Sequence, residues 1–232
     1  MSATPPATFG TLRRALQASP GRRTRLHTLR GELVPLAALA DLPRLLLARV
    51  LGRTPDGPWF CTPAVDFLTR VVQPHWRVLE CGSGRSTLWY ARHGDSVLAL
   101  EDAPAWHAEV GRLLAGQVNA SLELLPAREF PARMAAEPAE SYDLVVVDGG
   151  DHEPEGERLP AVTGRVACVL AGVRLVRPGG VLVLDNSDRP EYRLVDQPLD
   201  GWHSTRLRGF PNAPMTPTET TFYWKPPSSV MR

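Results

Sequence analysis

The stretch Val78-Leu79-Glu80-Cys81-Gly82-Ser83-Gly84-Arg85-Ser86-Thr87 joins residue types at a spacing that suits ligand chemistry. A short apolar run reaches an acid, then a glycine-rich turn, then residues suited to a helix start. Gly82 and Gly84 let the backbone approach a ligand and take positive φ cheaply. The first N–H groups of the following helix lack internal partners and bind ligand oxygens. Further polar groups end other apolar runs: Glu101 after VLAL, Asp148 after LVVV, and Asp185-Asn186 after VLVL. Any one of these carboxylates has a bland reading, as a helix cap or a solvated side chain. Their recurrence at run after run points to one shared site.

The elements that must position these groups follow from periodicity. Strands are expected at Arg77–Glu80, Ser96–Glu101, Ser121–Leu125, Asp143–Asp148 and Val181–Asp185, with helices at Pro63–Val72, Ser86–Arg92, Pro104–Ala115 and Leu159–Val176. Thr62 is placed to cap the first of these helices, with Pro63 at its first position. The run DLVVVD is almost wholly apolar, as in a strand buried on both faces. Strands alternating with helices imply an α/β fold, a Rossmann-like, doubly wound and mostly parallel sheet. Ligands of such sheets bind beyond the carboxyl ends of the strands, where the polar residues stand. The rhythm then changes: Trp202–Arg208 and Thr220–Lys225 read as an antiparallel hairpin at one sheet edge. Residues 1–58 read as a helical N-terminal extension, basic and poorly patterned up to about Arg30, and residues 59–232 as the main domain. Leu33–Leu51 within the extension reads as one or two short helices broken near Pro43.

Glu101 ends the second strand, where an acid accepts hydrogen bonds from both hydroxyls of a ribose. The glycine turn discriminates among adenosine ligands. A dinucleotide turn wants G-x-G-x-x-G, but the third position here holds Thr87. The acid two residues before the first glycine suits an ammonium group and would repel a pyrophosphate. Together these features point to S-adenosylmethionine. The segments VLECGSGRSTLWYA, LALEDAPAW, YDLVVVDGG and LVRPGGVLVLDNSDRPEY, in that order, resemble the class I S-adenosylmethionine-dependent methyltransferases, over roughly Trp59 to Lys225. The similarity is nearest to bacterial members whose turn reads G-S-G-x-S-T and whose fifth strand ends L-D-N-S. The resemblance implies that Glu80, Gly82, Ser83, Gly84, Ser86 and Asp148 line the cofactor, with Glu101 on its ribose. Trp106 would pack near the adenine or in the core. The usual Asp after the third strand is replaced by Leu125-Pro126-Ala127-Arg128, which leaves the adenine contact to a backbone group or Glu129.

Catalysis would fall to Asp148, and to His152 as general base; a solvated loop histidine is the competing reading. Asp148, Asp185 and Asn186 also resemble the cation ligands of catechol-type O-methyltransferases. Three hard oxygens suit Mg²⁺ or Ca²⁺, which would acidify and align a substrate hydroxyl. The alternative is that both carboxylates bond loop backbone and Asn186 starts a turn. Asp188, Arg189, Glu191 and Tyr192 form a loop over the mouth, within reach of substrate, and the N-terminal region to Phe60 is a candidate lid. Cys81 reads as a small packing residue.

Composition bounds the partners. A formal net charge of +1 gives no global field for nucleic acid or membrane, and no N-P-P-[YF] segment grips a flipped base. Arg13, Arg14, Arg22, Arg23, Arg25 and Arg30 precede any acid, a pattern shared by transit peptides, basic arms and plain extensions. No apolar run reaches membrane-spanning length. The three cysteines are far apart and form no C-x-x-C pair, which suits a reducing, cytoplasmic setting. The expected activity is O-methylation of a small-molecule or sugar-containing substrate. The rival readings are an NAD-dependent oxidoreductase and a catalytically silent adenosyl-ligand binding or interaction protein.

Overall fold

The structure is a computed structural model; it describes residues 24–52, 56–151, 164–211 and 216–228. Among these, five parallel strands form the body of one sheet: β1 (Arg77–Cys81), β2 (Ser96–Glu101), β3 (Ala120–Leu124), β4 (Tyr142–Val147) and β5 (Val176–Leu184). β6 (His203–Gly209) and β7 (Thr218–Trp224) complete it as the antiparallel pair expected from the change of rhythm. The order is β3-β2-β1-β4-β5-β7-β6, with β7 antiparallel to β5 and β6 on the edge. Strand order reverses between β1 and β4, the place where open α/β sheets hold ligands.

Two apolar layers explain why the central strands lack the polar alternation of a half-exposed sheet. On one face Leu79, Cys81, Val145, Val147, Leu182 and Leu184 pack with Phe130, Met134 and Val169. On the other, Val78, Leu144, Val146, Val181 and Val183 pack with Leu68, Trp89 and Tyr90. Neighbouring residues of one strand thus serve opposite cores, and each fully buried Val or Leu contributes about 1.5–3 kcal/mol. Helices α2 (Thr62–Val71) and α3 (Arg85–His93) cover the second face, while α5 (Phe130–Ala135) and α6 (Gly164–Leu175) cover the first. Helix α4 (Pro104–Leu113) follows β2 and buries Val110 against Leu88 and Leu114.

The N-terminal segment behaves as expected around Pro43. A 3₁₀ turn over Leu36–Asp41 runs into α1 (Leu42–Val50), with Pro43 in the first turn, where its missing N–H costs nothing. Three expectations need correction. Thr62 is not the cap of α2: Cys61 holds that position, and the Thr62 hydroxyl donates to the Phe210 carbonyl at 3.1 Å. Helix α5 was not foreseen, because six residues with a proline in second place show no periodicity. β5 starts at Val176 rather than Val181, since Val176 pairs with Tyr142 across a register shift that takes up Arg177–Gly180. Residues 159–163 of the expected helix Leu159–Val176 lie outside the described residues.

Candidate active site

β1 delivers Glu80 to the floor of the turn, where it is buried. The Thr87 hydroxyl donates to Glu80 Oε2 at 2.6 Å and accepts from the Gly84 N–H at 2.9 Å. Thr87, noticed in the sequence only as a missing glycine, therefore ties the acid to the turn. Burial pushes the Glu80 carboxyl up to about 8, against the opposing pull of hydrogen bonds from Ser86 and Thr87. A buried acid of this kind is neutral in the empty protein and ionises when a cation arrives beside it.

β2 delivers Glu101 to the other side of the same turn. Its Oε2 accepts from the Ser83 N–H (3.0 Å) and hydroxyl (2.6 Å), and its Oε1 from the N–H groups of Asp102 (3.1 Å) and Ala103 (2.9 Å). The carboxylate thus fixes both the glycine turn and the start of the β2–α4 connection. Trp106 belongs to neither core. It is 39% exposed, and its indole N–H donates to the Ser83 carbonyl at 2.7 Å. It walls a cleft of about 450 Å³ together with Trp59, Ser83, Gly84, Ser86 and Asp148. Glu129, offered for the adenine, lies exposed beside Arg128.

Gly82 has a duty that its place in the motif did not reveal. Its φ is +89°, and a Cβ there would lie 2.9 Å from the Gly149 nitrogen and 3.0 Å from its Cα. A Cβ on Gly149 would in turn lie 2.6 Å from the Gly82 Cα. The turns after β1 and β4 touch backbone to backbone at the point where strand order reverses, and the N–H groups of Asp148 and Gly149 both donate to the Cys81 carbonyl (3.0 and 2.7 Å). This contact fixes Asp148 opposite the glycine turn.

Asp148 is 28% exposed at the cleft wall. Burial raises its carboxyl above the usual range, and it shares a hydrogen bond with Asp185. Asp185 is buried at the end of β5; its Oδ1 accepts from the Thr220 hydroxyl at 2.6 Å. Burial, then the neighbouring Asp148 charge, pushes it up to about 8. Asn186 follows with φ +52°, the left-handed conformation that asparagine tolerates. Its Oδ1 accepts from Arg165 (3.2 Å) and Arg189 (3.3 Å). Arg165 and Asp151 were not singled out from the sequence, yet both belong to this cluster. The Asp151 carboxylate faces Arg165 and Arg189 and accepts the Tyr192 hydroxyl.

Asp148, Asp185 and Asn186, the three proposed metal ligands, come together at the ends of β4 and β5. A guanidinium already stands among them, and the Asn186 oxygen is committed to two arginines. Among the described residues no three His, Cys, Asp or Glu side chains are grouped to hold a metal ion. His152 lies outside the described residues.

The mouth loop also departs from expectation. Residues Pro190–Val195 form a 3₁₀ turn in which Tyr192 is fully buried. Asp188 is buried as well, its carboxylate accepting from the Leu29 N–H (2.6 Å) and the Glu219 N–H (3.3 Å). Both are closed off from solvent, whereas Glu191 is exposed. Cys81 packs against Met134, and all three cysteines are free and buried. Among the described residues no helix is long and apolar enough to cross a membrane.

No known family pattern matches the sequence, and no curated protein matches it significantly. Solved structures do. TomG of Streptomyces achromogenes, an O-methyltransferase involved in tomaymycin synthesis and solved in complex with SAM, superposes with a TM-score of 0.56 at 18% identity, covering 82% of this chain and 89% of that one. An O-methyltransferase from Bacillus cereus in complex with SAH gives 0.56 at 17%, covering 80% and 90%. The seven-stranded sheet with its terminal antiparallel pair is therefore a fold shared with these two O-methyltransferases.

Proposed function

We propose that this chain is an S-adenosylmethionine-dependent methyltransferase that methylates a hydroxyl of a small-molecule or sugar-containing substrate. The observation that carries the reading is the glycine turn held between two buried acids, Glu80 below and Glu101 beside it, opening on a cleft faced by Asp148. Glu80 suits the ammonium end of the cofactor. Glu101 and the Ser83 hydroxyl suit its ribose. Gly82, Gly84 and Ser86 complete the lining. Residues 59–232 would form the methyltransferase domain, with 1–58 its appendage.

The reaction is a direct displacement. The acceptor oxygen attacks the methyl carbon, the C–S bond breaks as the C–O bond forms, and the sulfonium becomes a neutral thioether. The hydroxyl proton goes to a base, for which Asp148 is the candidate: it is a carboxylate on the cleft wall, and burial makes it more basic than a free one. Alignment supplies much of the rate in such a transfer, and the Gly82–Gly149 contact holds the two sides of the site in register.

Calorimetry with S-adenosylmethionine, S-adenosylhomocysteine and NAD tests the reading. The adenosyl ligands should bind in the micromolar range and NAD should not. Tight NAD binding without an adenosyl response would overturn it.

A further inference from the structure

We infer that the Arg165 guanidinium is the resident cation at the ends of β4 and β5, and that it excludes a divalent metal from Asp148, Asp185 and Asn186. The geometry is that of an occupied cage. Arg165 Nη1 donates to the Asp185 carbonyl and to Asn186 Oδ1, both at 3.2 Å. Nη2 lies 3.6 Å from Asp148 Oδ1, and Nε lies 3.5 Å from Asp151 Oδ2. The side chain is only 10% exposed. Its charge is secure, since a guanidinium is not deprotonated in a protein. Three carboxylates against Arg165 and Arg189 leave little excess negative charge to bind a divalent ion.

The backbone prevents Arg165 from giving way. It sits in the first turn of α6, where its own N–H donates to Asp151 Oδ1 at 2.9 Å. The carboxylate that meets its head group also fixes its root. The oxygens a metal would need are engaged elsewhere. Asn186 Oδ1 accepts from a second guanidinium, that of Arg189, and Asp185 Oδ1 accepts from Thr220. Arginine suits this place better than lysine, since its planar fork serves several acceptors at once and never loses its charge. Arg165 is thus a positioning residue. It pairs with Asp148 and does for the strand ends electrostatically what a metal would do by coordination.

Removing the guanidinium should create the site it fills. Without it, the oxygens of Asp148, Asp151, Asp185 and Asn186 would face a vacated space and be free to close on a hard cation. The inference does not rest on methyl transfer, because it is read by metal binding alone. Full-length wild type, Arg165→Ala, Arg165→Lys and the double variant Arg165→Ala/Asp148→Asn are titrated with Mn²⁺ by calorimetry and followed by electron paramagnetic resonance. Wild type and Arg165→Lys should show no saturable site, and Arg165→Ala should gain one, at least about tenfold tighter than any background binding. The double variant should lose it, and Mn²⁺ should raise the melting temperature of Arg165→Ala alone. A single Mn²⁺ site in wild type that Asp148→Asn abolishes would overturn the inference, even if the arginine variants do not fold. So would a folded Arg165→Ala that binds Mn²⁺ no better than wild type.

Discussion

Lowering the pH should weaken cofactor binding through one identifiable group. Glu80 is buried beneath the glycine turn, and its carboxyl is pushed up to about 8. Below that pH the empty protein holds Glu80 neutral, yet an ammonium group bound beside it requires the anion. Binding must therefore release a proton. Ionising a carboxyl one pH unit below its pKa costs about 1.4 kcal/mol, and two units below about 2.7 kcal/mol. Affinity for S-adenosylhomocysteine should accordingly rise about tenfold per pH unit between pH 5.5 and 7.5. Calorimetry in two buffers of different ionisation enthalpy should count close to one proton released per ligand at pH 6.5. In Glu80→Gln the proton release and the pH slope should vanish, and affinity at pH 7.5 should fall by the 1.5–3 kcal/mol or so typical of a charge-assisted hydrogen bond. A dissociation constant independent of pH in wild type, or a slope that survives in Glu80→Gln, would refute the reasoning and remove Glu80 from the ammonium site.

Glu80 and Asp185 are both pushed up to about 8, so each favours its protonated form in the folded state. Stability from these groups is present below the ordinary carboxyl range and is lost as pH rises towards 8. Urea unfolding of the ligand-free protein should show stability falling with pH over that window, and Asp185→Asn should make the fall shallower. Gly82→Ala combines φ +89° with a Cβ 2.9 Å from the Gly149 nitrogen. It should cost at least about 2 kcal/mol in urea unfolding, more than a surface substitution does. Glu101→Ala strips the turn of an acceptor for four donors, and S-adenosylhomocysteine affinity should drop at least about tenfold by calorimetry. All three cysteines are buried, and burial pushes the Cys61 thiol up to about 12. Ellman's reagent should find no fast-reacting thiol in the native protein and three after unfolding.

The strand ends were legible because periodicity locates them. Glu80, Glu101, Asp148 and Asp185 each close an apolar run, and a parallel sheet gathers such ends at one edge. Groups whose role depends on neighbours distant in sequence were not legible. Arg165 opens a helix well beyond Asp148, where an arginine ordinarily reads as solvated; only the approach of α6 to the strand ends turns it inward. Gly149 looked like one of a pair of loop glycines, since its partner Gly82 lies on another strand. Asp188 and Tyr192 sit in a polar stretch that patterning assigns to the surface. Both are buried because other segments close over them. The guanidinium among the proposed metal ligands was hidden for a related reason: Asp148, Asp185 and Asn186 have suitable oxygens, but ligand chemistry read along the chain does not register an arginine delivered from elsewhere.

The hydrogen bond from the Leu29 N–H to Asp188 links the beginning of the described chain to the loop that follows β5. Arg30 beside Glu219 and Glu32 beside Arg208 fasten the same segment to β7 and β6. The loop and the arm are therefore one mechanical part encoded at two distant places. Exchanging the loop between proteins of this fold would leave Asp188 or its replacement without the Leu29 donor, and grafting the arm alone would strand Arg30 and Glu32. An engineer who wants to exchange either segment must move residues 24–34 and 186–195 as a set, with their partners on β6 and β7. Natural divergence of this site faces the same bond, so changes in the arm and in the loop should be inherited together.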